Sequence, residues 1–139
     1  MKYRRFGSKF IVRIDKGEEI VQTLKSFCRE QGIKLGAVTG IGATNRATVG
    51  LFDAEKKEYK AKELTGNYEI APLCGNISTL QGDVYLHIHA NLCDSEHKSF
   101  GGHLNAAVVS ATFEAIIEVM EGEIEREFSQ EIGLNLYKI

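Results

Sequence analysis

The stretch that decides the fold is Asp83-Val84-Tyr85-Leu86-His87-Ile88-His89-Ala90-Asn91-Leu92. Successive side chains of a strand point to opposite faces. Read as a strand, this segment puts Val84, Leu86, Ile88 and Ala90 on one face and Tyr85, His87, His89 and Asn91 on the other. The first face is wholly apolar and belongs against a core. The second is polar and aromatic, and an antiparallel sheet leaves such a face free to carry a site or a subunit contact. Two imidazoles at i and i+2 stand roughly 6.5–7 Å apart at the backbone, close enough to converge on one ion.

Downstream, the loop Cys93 to Phe100 leads to the turn Gly101-Gly102-His103. If the chain folds back as a hairpin centred on Glu96, His103 falls opposite His89 and Asn105 opposite His87, with facing Cβ atoms roughly 4.5–5.5 Å apart. His87, His89 and His103 then form a triangle on one face. Three neutral imidazoles suit a divalent metal, zinc above all, with one or more coordination positions left open. Asn91, Asn105 and Glu114 are candidates to orient the rings from behind. His97, at the loop tip, reads as a surface residue. The competing reading is that the three histidines only hydrogen-bond in a subunit interface.

Upstream, residues 1–14 read as a strand in which Phe10, Val12 and Ile14 alternate with Lys9, Ile11 and Arg13. From Glu18 to Gln31 the apolar residues Ile20, Val21, Leu24, Phe27 and Cys28 form the stripe of an amphipathic helix, with acidic residues at its positive end and Gly32 as its stop. Cys28 lies on that stripe as a small core residue. Leu35 to Ala43 is glycine-rich, but no Gly-Lys-Ser/Thr follows and no helix opens after it, so it is not a phosphate loop. It reads instead as a strand whose glycines allow close backbone approach.

Arg46 to Phe52 and Glu58 to Leu64 read as a hairpin, Gly66-Asn67 as a turn, and Tyr68 to Ser78 as an edge or irregular strand because of Pro72. Leu104 to Met120 is rich in β-branched and aromatic residues and is taken as a strand. A short strand and an apolar end, separated by Gly133, close the chain. The expected fold class is α+β, a mainly antiparallel twisted sheet of about seven strands with one main N-terminal helix, in a single domain over residues 1–139.

The totals exclude several function classes. With 139 residues and a net charge of −2 the chain has no overall basic field to draw it onto nucleic acid or an anionic membrane. No window approaches 18 uncharged apolar residues, so no membrane partner is expected. Three scattered cysteines, Cys28, Cys74 and Cys93, argue for a reducing compartment rather than a disulfide framework, which places the protein in the cytoplasm. Cys74 and Cys93 read as buried thiols before they read as extra metal ligands. There is no Ser-His-Asp set and no nucleotide fingerprint, so no catalytic residue and no organic cofactor is assigned.

The helix followed by Val38-Thr39-Gly40-Ile41-Gly42, then Tyr68 to Ser78, then Tyr85-Leu86-His87-Ile88-His89-Ala90 and Gly101-Gly102-His103-Leu104, together resemble the plant-and-prokaryote conserved (PPC) domain family over nearly the whole chain. The resemblance implies a compact α+β domain that assembles as a homotrimer and carries a customary DNA-binding label. In the plant members DNA contact is assigned to a separate AT-hook, and no Arg-Gly-Arg-Pro occurs here. What remains for DNA is a mildly basic N-terminal strand with Lys2, Arg4, Arg5, Lys9 and Arg13. The His-x-His strand followed by Gly-Gly-His also looks like the zinc site of acetolactate decarboxylase, where two histidines at i and i+2 and a third after a loop bind the ion. Carried over, His87, His89 and His103 are the ligands, and no residue matches the carboxylate that helps them there. Three functions stay open: a metal-binding regulatory or DNA-associated protein, a small metalloenzyme (a lyase or hydrolase) taking a small-molecule ligand near the histidines, and a structural trimer.

Overall fold

In the structure, a computed structural model describing residues 1–139, alternation and helical periodicity produce eight strands and one helix. In chain order they are β1 (Lys2–Phe6), β2 (Lys9–Asp15), α1 (Ile20–Glu30), β3 (Gly36–Asp53), β4 (Glu58–Leu80), β5 (Asp83–Cys93), β6 (Ser99–Val119), β7 (Arg126–Ser129) and β8 (Leu134–Tyr137). The main sheet runs β1-β2-β6-β3-β4-β5 with every pairing antiparallel, and β6 also pairs with β5. Strands β6, β3, β4 and β5 therefore close a circuit, while β7 and β8 form a separate hairpin.

The α+β class and the antiparallel sheet are as the sequence predicts, and the differences lie in where strands end. Residues 1–14 are not one strand but a hairpin that turns at Gly7, whose φ of 60° suits glycine. Conversely, the turn expected at Gly66-Asn67 and the break between Ala43 and Arg46 do not interrupt β4 and β3, which run 23 and 18 residues. Their register shifts between Gly40 and Gly42 and between Thr44 and Arg46 instead, because a bulge bends a strand without ending it. Pro72 falls at a register shift too, between Ile70 and Leu73, on a strand paired along both edges rather than at a sheet edge. Gly101-Gly102 likewise lies inside β6 and is not a turn.

The glycines of β3 do allow close approach. A Cβ at Gly40 would stand 2.5 Å from Phe113 Cζ, and one at Gly42 2.3 Å from the Thr112 carbonyl oxygen. Phe113 is fully buried, so Gly40 makes room for its ring in the core.

Strand β6 organises the molecule. One of its edges follows β3, while the other is shared between β5 at residues 99–103 and β2 at residues 112–118. In the gap the start of the helix takes over: Val109 N–H donates to Glu18 O, Gly17 N–H donates to Val109 O, and Ala107 N–H donates to a Glu19 carboxylate oxygen at 2.8 Å. The same carboxylate caps α1, accepting from the N–H groups of Val21 and Gln22. Ile20, Leu24, Phe27 and Cys28 of α1 then join Val12, Ile14, Ile77, Ile88, Phe113 and Ile117 in one buried cluster. Burial pushes the Cys28 thiol up to about 12.

Candidate metal centre

Strand β5 presents its two faces as its alternation requires: Val84, Ile88 and Ala90 are buried, and His87 and His89 stand on the opposite side. Strand β6 brings the third ring. His89 faces His103 across the ladder, as the hairpin centred on Glu96 predicts. That pairing is the last between β5 and β6, however, and Asn105 does not lie opposite His87. After His103, strand β6 leaves β5 while it continues along β3, so His87 has a ladder partner only on the other edge of β5, Asn76 of β4.

The three rings converge. One ring nitrogen from each of His87, His89 and His103 lies within 4.8 Å of the others, and the ring centroids are 5.2, 5.4 and 5.5 Å apart. The Nε2 atoms of His87 and His89 are 3.3 Å apart, which requires one of them to be the acceptor. Burial holds both His87 and His103 below the ordinary imidazole range, helped at His87 by the Arg126 and His89 charges and at His103 by those of His87 and His89. Neutral rings with free lone pairs are the form a metal requires.

The cluster forms one wall of a cleft of about 560 Å³. Tyr59 lies edge-on to His103 with centroids 6.2 Å apart, held by its hydroxyl donating to Asn105 Oδ1 at 2.6 Å. Gly50, which pairs with His103 in the ladder, leaves the space the Tyr59 ring needs, since a Cβ there would meet its oxygen at 2.0 Å. The C-terminal hairpin supplies the facing wall through Arg126, Leu134, Asn135 and Leu136.

Of the residues expected to orient the rings, none bonds to them. Asn91 donates to Ala71 O and Ser99 Oγ, Asn105 acts on Tyr59, and Glu114 lies toward the other end of β6 opposite Ile41. His97 is on the surface, as expected. Cys74 is exposed and Cys93 half-buried rather than core thiols, because both lie on outward-facing strand positions, and neither joins the cluster. Sequence reasoning overlooked Tyr59 and Arg126. The second carries a signal: it is the lone cation among Glu121, Glu123, Glu125 and Glu127 on an otherwise acidic stretch.

An antiparallel α+β domain with three histidines converging on the wall of a cleft is the class of protein these features define. Residues 1–121 match the model of the Plants and Prokaryotes Conserved (PCC) domain, and the chain belongs to that family. Among solved structures it is similar to a metal-containing protein from Archaeoglobus fulgidus, 35% identical with a TM-score of 0.87 over 99% of each chain. It is also similar to a PPC protein from Pyrococcus horikoshii, 34% identical with a TM-score of 0.87 over 99% of this chain and 94% of that one. A protein from Bacteroides thetaiotaomicron, provisionally described as DNA-binding, is 36% identical with a TM-score of 0.96 over 99% and 96%. Acetolactate decarboxylase from Bacillus subtilis shares the fold alone, at 15% identity and a TM-score of 0.52 over 79% of this chain and 52% of that one. The chain is 28% identical over 121 residues to the bifunctional protein GlmU of Synechococcus sp. (strain JA-3-3Ab) and spans 18% of the length of that curated relative.

Proposed function

We propose that His87, His89 and His103 bind one divalent metal ion, with zinc the best match to three imidazoles, and that this centre is the working site of one domain over residues 1–139. The observation that carries the reading is the convergence of three ring nitrogens within 4.8 Å on the wall of a cleft. The Archaeoglobus relative, described as metal-containing, supports it. No carboxylate or thiolate belongs to the cluster, so three protein ligands leave a position for water or a ligand. An ion there would polarise a bound oxygen or lower the pKa of a bound water, which is the chemistry of a small metalloenzyme. The test is metal analysis of untagged protein against His87→Ala and His103→Ala. Stoichiometric metal in the parent and its loss in both variants is expected; equal metal content in all three would sink the reading.

DNA binding is the second reading, favoured by the descriptions of the Bacteroides relative and of a similar protein from Ralstonia eutropha. Here Lys9 pairs with Glu118 and Arg13 with Asp15, so the free cations of the N-terminal hairpin are Lys2, Arg4 and Arg5. A homotrimer would present that strand three times. Binding to duplex DNA should then weaken steeply as salt rises. A flat salt series, or no binding at low salt, rules the interface out.

A further inference from the structure

Arg126 stands only 6% exposed, and no carboxylate pairs with it. Its acidic neighbours are engaged elsewhere. Glu125 accepts from Thr79 Oγ1 and Gly82 N–H, Glu123 from Lys34 and Thr79, and Glu127 lies 3.8 Å from Lys138 Nζ. A buried cation without a counter-ion is costly and calls for another source of stabilisation. Two aromatic faces supply part of it: the guanidinium carbon lies 4.8 Å from the Tyr85 ring centroid and 4.2 Å from that of Tyr137. Those faces stabilise the charge without neutralising it.

Two of the guanidinium nitrogens are committed. Nε donates to Ser78 Oγ and Nη1 to Asn135 O, both at 2.8 Å, which fixes the plane of the group. Nη2 has no protein partner and is not sealed from solvent. The residue lines the same cleft as the three histidines, together with apolar Leu51, Phe52, Leu134 and Leu136. A rigidly held guanidinium with free donors is built to take an oxyanion. A cleft of about 560 Å³ falls in the size range of small-molecule sites.

We infer that the cleft binds a small organic anion, a carboxylate or a phosphate ester, with its charged head on Arg126 and its apolar body against the leucines of the β7–β8 hairpin. The inference deepens the metal reading, since a ligand so held can present a further oxygen toward the histidines, but the anion contact itself belongs to Arg126. Wild-type protein, loaded with zinc and stripped of it, is titrated calorimetrically with butyrate, n-butyl phosphate and the neutral analogue butyramide. At least a tenfold preference for one or both anions over the amide is expected, and which anion leads identifies the head group. The preference should vanish in Arg126→Met and return in part in Arg126→Lys. Equal binding of amide and anions, or a preference unchanged in Arg126→Met, overturns the inference.

Because Arg126 also ties Ser78 to Asn135, its variants can lose the fold. Two further observations keep the test decisive. In the parent protein the Arg126 Nε–H resonance should move with the preferred anion and stay still with butyramide. Leu136→Glu, a change at an exposed position of the cleft, should weaken anion binding at least tenfold. No resonance shift, or undiminished binding in Leu136→Glu, counts against the site. Anion preference in a protein that takes up no zinc sinks the metal reading and leaves this one standing; zinc uptake without anion preference does the reverse.

Discussion

His89 and His103 face each other across the β5–β6 ladder, with ring centroids 5.5 Å apart, at the last residue pair before the two strands part. The third ring, His87, sits one strand pleat further on, where β5 has lost its partner on that side. The cluster therefore straddles the point where the closed circuit opens into the cleft. An imidazole on either strand is held by main-chain pairing and not by hydrogen bonds to its ring from neighbouring side chains, apart from the His87–His89 contact.

Burial keeps His87 and His103 below the ordinary imidazole value of 6.5. Between that value and their lowered folded values the unfolded chain binds more protons, so stability falls as pH drops through this window and rises with pH across it. Urea unfolding between pH 7 and pH 5, with chelator present, should show that slope in the parent. It should shrink in a His87→Gln/His103→Gln double variant, and an equal slope in both proteins would refute the assignment. Bound metal should leave over the same descending range, because protons and metal compete for the same lone pairs.

Gly75 holds β4 against β5 beside the cluster. A Cβ there would lie 2.2 Å from His87 O and 2.6 Å from Ile88 Cα, both main-chain atoms that cannot swing away. Gly75→Ala should cost about 3 kcal/mol, the upper end for overpacking, and displace His87 with it. Thermal unfolding and metal content read the two effects. A variant with the parent's stability and full metal would show that the strands separate freely.

Glu19 joins α1 to β6, accepting from Val21, Gln22 and Ala107 N–H groups. Glu19→Ala removes a cap, about 1 kcal/mol, and leaves Ala107 N–H without its partner, about 1–3 kcal/mol more. Glu19→Gln, which keeps one acceptor oxygen, should lose less than half as much. Denaturant midpoints for the two variants decide the matter; equal losses would mean that the carboxylate's charge, not its acceptor geometry, is what counts.

Cys28 is buried with its thiol pushed up to about 12, whereas Cys74 is exposed and Cys93 half-buried. The thiolate is the reactive form, so alkylation of native protein at pH 8 should mark Cys74 first and Cys93 more slowly. Cys28 should react only on unfolding. Mass spectrometry of the labelled peptides checks the order, and early modification of Cys28 would mean that α1 opens readily.

Much of this was legible because period carries information. The His87/His89 face and the Ile20-to-Cys28 stripe follow from alternation and helical spacing, the strand character of Leu104 to Met120 follows from its β-branched and aromatic content, and a hairpin centred on Glu96 sets His89 opposite His103. Strand ends were not legible, because glycine serves both turns and bulges and only the partner strand decides which. Gly66 lies at a bulge and Gly101-Gly102 in a regular stretch of ladder, both within strands that continue, while Gly7 reverses the chain. The surroundings of the site were hidden for a related reason. Tyr59 reaches His103 across Gly50, and Arg126 arrives from a hairpin that no local pattern connects to the histidine strand.

The family match ends at residue 121, yet Arg126, Leu134, Asn135 and Leu136 all lie beyond it. The three imidazoles are thus encoded in one stretch of the gene and the wall they look out on in another. Replacing a dozen residues of that hairpin would reshape the wall of the cleft without touching a single imidazole, so the cluster and its surroundings are free to evolve apart.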